Sequence, residues 1–208
     1  MDGDFAPLED LVSIAVRHDA FLMADEAHAT GVYGEHGRGL TAPYEGRANL
    51  VAIHTCGKAL GAAGALVTAS TALRDFMINR CRPFIFATAP SPLMAMAVRE
   101  ALIILQQEPD RQQRLTSLVA FAHREAELRG LQSCSRSQIV PYLVGDNARA
   151  MQLASAMQAR GFDIRGIRPP TVPAGTARLR ISLTLNVEER DVRSMLDSLV
   201  EETRYLCR

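Results

Sequence analysis

The stretch FLMADEAHATGVYGEHGRGL, residues 21–40, decides how the rest of the chain is read. Phe21 to Ala24 form a short, wholly apolar run, the pattern of a parallel strand covered on both faces. The run stops at Asp25, and the glycine-rich segment from Gly31 to Gly39 that follows suits only a loop. In an open α/β sheet, reactive groups collect just beyond the carboxyl ends of the strands, which is where Asp25-Glu26-Ala27-His28 falls. The letters DEAH would also suit a nucleotide hydrolase, but that chemistry requires an upstream GxxxxGK[ST] phosphate loop. The one Gly-Lys pair, Gly57-Lys58, lies downstream, is followed by Ala59 and has Ala52 at the first glycine position, so that reading fails. Asp25, His28 and His36 complete no recognised metal-ligand spacing, and no metal is expected.

Working outward, the next informative stretch is HTCGKALG, residues 54–61. Among the 23 Lys and Arg residues, Lys58 is the sole lysine. Arginine replaces lysine on most surfaces but does not lose its proton to become a nucleophilic amine. A lone amine in a Gly/Ala-rich apolar segment, 33 residues beyond a strand-end Asp, fits pyridoxal phosphate chemistry. That chemistry needs a Lys to hold the cofactor as a Schiff base and a carboxylate to keep the pyridinium nitrogen protonated. An apolar, partly desolvated site would favour the neutral amine, and a hydroxyl such as Thr55 suits the cofactor phosphate.

The chain has 208 residues, 48% of them hydrophobic and 22% charged, which allows one large globular domain or two small ones. Its 23 basic and 23 acidic residues cancel, which gives no electrostatic case for nucleic acid or an anionic membrane. No apolar run approaches the ~20 residues of a membrane span, and no basic n-region with an apolar stretch opens the chain. The four cysteines, Cys56, Cys81, Cys134 and Cys207, form no CxxC pair, so the chain reads as soluble and cytoplasmic, from a reducing compartment.

Further strands are expected at residues 49–54, 64–67 and 84–86, and helices at 8–16, 71–79, 93–107 and 111–129, the last closed by Gly130. After Pro109 the character changes to a mixed unit: strands at 139–144 and 177–185, helices at 148–160 and 187–205. The expected fold is therefore a partial α/β domain over residues 1–108, followed by a small α+β domain over 109–208 with an antiparallel sheet.

Five stretches together resemble one family: MDGDFAPL (1–8), DEAHATGVYGEHGRGL (25–40), HTCGKALG (54–61), FIFATAPSP (84–92) and RPPTVPAGTARLRISLT (168–184). They are similar to the α-oxoamine synthases, class-II aminotransferase-like, fold-type-I pyridoxal phosphate enzymes that condense an amino acid with an acyl thioester and release carbon dioxide. The resemblance implies that Lys58 binds the cofactor and shuttles a proton, that Asp25 pairs with the pyridinium nitrogen, and that His28 bonds the phenolic oxygen. It further implies that Thr55 contacts the phosphate, that Thr88 reaches the neighbouring subunit's cofactor in a homodimer, and that Arg180 holds the substrate carboxylate. Only the resemblance selects Arg180 over Arg178. The substrates it implies are L-alanine and a pimeloyl thioester, as in biotin synthesis, with glycine or serine and another acyl-CoA as the alternative. It also implies that the chain is the carboxyl-terminal portion of the enzyme, because members carry a comparably long segment ahead of MDGD. A remnant without catalysis is the alternative from another class. Each side chain has a plain structural role open to it as well: a surface lysine, a turn-capping Asp25, a backbone-bonding His28, and loop hydroxyls at Thr55 and Thr88.

Overall fold

In the computed structural model, which describes residues 1–131 and 135–206, the chain divides into Ala6–Gln112 and a second unit from Gln113 onward that also includes Met1–Phe5. Cys134 and Cys207 lie outside the described residues. The opening five residues, expected with the α/β part, thus belong with the other unit.

In the first unit, helix α1 (Leu8–Arg17) leads into strand β1 (Leu22–Asp25). Glu9 and Asp10 in its first turn and Arg17 in its last oppose the helix dipole. Strand β2 (Leu50–Thr55) runs parallel to β1 in a register that sets Leu22 beside Leu50 and Asp25 beside Ile53. Strand β3 (Ala65–Thr68) is antiparallel to β2, because the nine-residue connection 56–64 turns back on itself as a hairpin instead of crossing over. Leu50, Ala52 and His54 are buried on one face of the sheet. On the other face Val51 is buried but Met23 beside it is 68% exposed, so the apolar run at 21–24 is not covered on both sides in this chain.

Helices α2 (Thr71–Arg80) and α4 (Pro92–Gln107) lie where the pattern predicts, α2 starting on Ser70, whose hydroxyl accepts from the Leu73 amide. Phe84-Ile85-Phe86, expected as a strand, instead sits in and just after a single helical turn, α3 (Arg82–Ile85). Pro83 in the first turn fixes a helical φ, and the amides of Ile85 and Phe86 bond back to Cys81 and Arg82. β-branched and aromatic residues favour strands only when a neighbouring strand accepts them.

In the second unit, helix α5 (Asp110–Leu128), strand β4 (Ile139–Gly145), helix α6 (Asn147–Ala159), strands β5 (Arg165–Ile167) and β6 (Ala177–Ser182), and helix α7 (Glu189–Tyr205) follow in order. The sheet is antiparallel with order β4-β6-β5. β5 is too short for its alternation to register in the sequence. Leu179 and Ile181 of β6 are buried in one core with Leu153 and Met157 of α6 and with Val192, Met195, Leu196 and Leu199 of α7. Helix α7 carries the Glu188/Asp191 capping box, and α6 begins on Asp146, whose carboxylate accepts from the Arg149 amide at 2.8 Å.

Candidate active site

Asp25 ends β1, and one of its carboxylate oxygens accepts from the Ala27 amide at 2.8 Å. That bond closes an Asx turn and fixes the carboxylate. Residues beside each other in a ladder share a face, and so do residues two apart along a strand. Asp25 therefore shares a face with Ile53 and Thr55. With strands ~4.8 Å apart and a rise of ~3.3 Å per residue, the Asp25 and Thr55 backbones stand about 8 Å apart at the carboxyl edge. Thr55 Oγ1 is buried and has no hydrogen-bond partner among the described residues.

The segment after Asp25 winds into a turn in which the Ala29 and Thr30 amides both bond to the Glu26 carbonyl. Glu26 itself is buried, and its carboxylate accepts from the Thr41 amide. A Cβ at Gly39 would come within 2.8 Å of that carboxylate carbon, so glycine is required there. Gly31 adopts a φ of +78°, and a Cβ on it would meet the Ala59 Cβ at 2.6 Å. The loop after β1 thus packs directly on the residue that follows Lys58.

Lys58 occupies the β2–β3 connection, tied at its base by Cys56 N–H to Gly64 O at 2.9 Å and Ala62 N–H to Cys56 O at 2.9 Å. The Gly61 amide bonds to the Lys58 carbonyl at 3.0 Å. Cys56 and Leu60, either side of Lys58, are buried with Val98 of α4 and hold the loop down. Burial pushes the Cys56 thiol above the usual thiol range, partly opposed by a hydrogen bond to the Leu66 backbone. Lys58 is exposed, so the desolvated surroundings expected for it are not supplied by this chain alone. His28, three residues after Asp25 on the turn, and Thr88, in the segment between α3 and α4, are exposed as well.

The sequence reading passed over His54. It is buried on the face opposite Asp25, with Nδ1 2.9 Å from Thr30 Oγ1 and Nε2 3.4 Å from Thr68 Oγ1. Thr30 donates its own proton to the Glu26 carbonyl at 2.8 Å, so His54 Nδ1–H is the donor to Thr30. Its alternation with Leu50 and Ala52 was the signal that it points inward. Glu26 was missed because a neighbouring Asp drew the chemistry.

Arg180 belongs to the second unit and is treated with it. Arg178 and Arg180 lie on the face of β6 away from the Leu179 core, since they are two residues apart. Arg178 forms an ion pair with Asp2, and its Nε donates to Thr176 O at 2.9 Å. Arg180 Nε, by contrast, is buried without a hydrogen-bond partner among the described residues. Arg180 also lines a cavity of about 630 Å3 with Phe162, Ile164, Leu183, Val187 and Met195. The structure so separates the two arginines that sequence alone could not.

Together, the residues offer a carboxylate with one oxygen fixed, an unpartnered buried hydroxyl on the same sheet face, an amine on the adjoining loop, and elsewhere a guanidinium with an unused donor. The orphaned Thr55 hydroxyl fits a phosphate oxygen, and the Asp25 carboxylate fits a protonated ring nitrogen.

The chain belongs to the aminotransferase class I and II family, whose model matches residues 1–199. Within it, the chain is 44% identical to the 8-amino-7-oxononanoate synthase of Nitrosococcus oceani, over 97% of this chain and 54% of that protein. It is 42% identical to the synthase of the same name from Cupriavidus metallidurans, over 99% of this chain and 53% of that one. A serine palmitoyltransferase from S. paucimobilis, solved with a bound PLP–myriocin aldimine, superposes with a TM-score of 0.89 at 26% identity, over 99% of this chain and 52% of that chain. The chain spans about half the length of these relatives. Its two units are accordingly part of the large α/β domain of a fold-type-I pyridoxal-phosphate-dependent transferase and a small α+β domain.

Proposed function

We propose that this chain belongs to a pyridoxal 5'-phosphate-dependent acyltransferase. It condenses L-alanine with a pimeloyl thioester, with loss of carbon dioxide, to give 8-amino-7-oxononanoate for biotin synthesis. The observation that carries the reading is the shared face of Asp25 and Thr55, with Lys58 on the loop that continues from Thr55. The identity of 42–44% to relatives bearing that synthase's name supports the choice of substrates over glycine or serine.

Bound pyridoxal phosphate would supply an electron sink for the substrate carbanion. Asp25, oriented by the Ala27 amide, would face the pyridinium nitrogen and hold its proton. Thr55 would donate its hydroxyl to the phosphate, and His28 would hydrogen-bond the phenolic oxygen. Lys58 would be the covalent anchor for the aldehyde and, once released, the base that moves the substrate Cα proton. Thr88 would reach the phosphate on the partner of a cytoplasmic homodimer. Arg180 would fork onto the substrate carboxylate, the geometry that guanidinium suits best.

The sole lysine makes the test clean. The chain is mixed with pyridoxal phosphate, reduced with borohydride, digested and mapped by mass spectrometry. A yellow protein whose adduct lies on Lys58, and whose absorbance responds to L-alanine more than to glycine or serine, is expected. A colourless protein, or label only at the chain's amino terminus, overturns the reading. The exposure of Lys58 favours a second reading, a subunit that pairs without binding cofactor, and the colourless outcome is its prediction.

A further inference from the structure

Three arginines share the outer face of the β5–β6 ladder: Arg165 beside Arg180, and Arg178 beside Ile167. Arg165 pairs with Asp163 at 2.8 Å and Arg178 with Asp2, which leaves Arg180. Two of the three are thus supplied with a carboxylate by the protein itself. We propose that Asp2 acts as an internal carboxylate ligand that occupies Arg178 and so makes Arg180 the one guanidinium with which this strand reads a small carboxylate. Asp2 is then a specificity-determining residue, and the inference rests on Arg180 having the role given above.

Three observations carry it. The Arg178 side chain is only 10% exposed, so an unpaired guanidinium there would demand an anion. Its partner is delivered by a built feature and not by a loose terminus. Gly3, next to Asp2, is buried at a φ of +67°, and a Cβ on it would lie 2.1 Å from the Ile139 carbonyl oxygen and 2.4 Å from Ser135 Oγ. Ser135 Oγ in turn donates to the Gly3 carbonyl at 3.2 Å. Finally, Arg178 and Arg180 stand about 6.6 Å apart along one strand face, close enough for one dicarboxylate to engage both. Loss of the Asp2 carboxylate would therefore change what binds as well as how tightly.

The test follows the arginine Nε–Hε signals of the 15N-labelled chain by nuclear magnetic resonance, with Arg178 and Arg180 assigned through R178K and R180K. Propionate should move the Arg180 signal and leave Arg178 unmoved. In Asp2→Ala, which vacates a carboxylate-sized place, propionate should move both, and glutarate should bind about tenfold more tightly than propionate. Asp2→Glu should restore the original selectivity. The backbone amide spectrum reports whether each variant is folded, and Asp2→Ser serves as a second carboxylate-free variant. An Arg178 signal that responds in the original chain, or stays silent in both carboxylate-free variants, overturns the proposal. Silence of Arg180 in the original chain instead removes its assigned role, and the Arg178 response still decides whether Asp2 screens it.

Discussion

Asp25 and Thr55 stand on one face of two parallel neighbouring strands, two residues out of step, so that the turn bearing His28 and the loop bearing Lys58 leave the same edge of the sheet. A carboxylate at one corner and an unsatisfied hydroxyl at the other thus stand on backbones about 8 Å apart along that edge.

Thr55→Val should separate binding from folding. A buried hydroxyl without a partner costs stability, so the variant's thermal midpoint is expected to equal or exceed that of the original. Its affinity for pyridoxal phosphate, measured by absorbance titration, should fall about tenfold, the worth of one hydrogen bond to a charged group. A lower midpoint with unchanged affinity would remove Thr55 from the site.

Gly31→Ala should disturb the lysine loop from a distance in sequence. The new methyl group meets Ala59 at 2.6 Å and the backbone sits at a φ of +78°, so about 1–2 kcal/mol of stability should be lost. Borohydride-trapped labelling of Lys58 should slow as well. Adding Ala59→Gly, which removes the opposing methyl, should recover part of the labelling rate but not the backbone strain.

Cys56 sets an alkaline limit. Its thiol is held above the usual range in the folded chain, mainly by burial, whereas in the unfolded chain it ionises normally. Below about pH 8.5 both states keep the proton and the contribution is constant; above it the unfolded state loses the proton first, so stability declines as pH rises. Chemical denaturation between pH 7 and 10, run beside Cys56→Ala, should show a shallower decline in the variant. Alkylation of Cys56 in the folded chain should be slow throughout.

The two units should respond differently to truncated apolar side chains. Leu179→Ala, in a core where Leu179 is fully buried, is expected to cost about 2–5 kcal/mol in urea denaturation. Phe86→Ser, at a residue 76% exposed, should change the melt by less than about 0.5 kcal/mol. A large loss at Phe86 would mean that its surface is covered in solution.

The sequence made β1, β2 and the long helices legible because their apolar spacing and their caps agree, as at Gly130 and Gly161 after α5 and α6. It marked Asp25 as a strand-end carboxylate and Lys58 as a lone amine in a connection, and those are the positions they hold. It misled at Phe84 to Phe86, where aromatic content suggested a strand but no strand among the described residues bonds it. It was silent on Glu26 and His54, whose roles depend on Thr41, Thr30 and Thr68 meeting them in three dimensions. Nothing local in MDGDF announces that Asp2 answers an arginine 176 positions later.

That distant answer bears on any attempt to dissect the molecule. A gene trimmed to begin at Gln113 would look tidy on a linear map, yet it would discard the peptide that fills the place beside Ser135 and Ile139. The excised piece would hold a sheltered guanidinium stripped of its counter-ion, and buffer anions would compete for it from the first purification step.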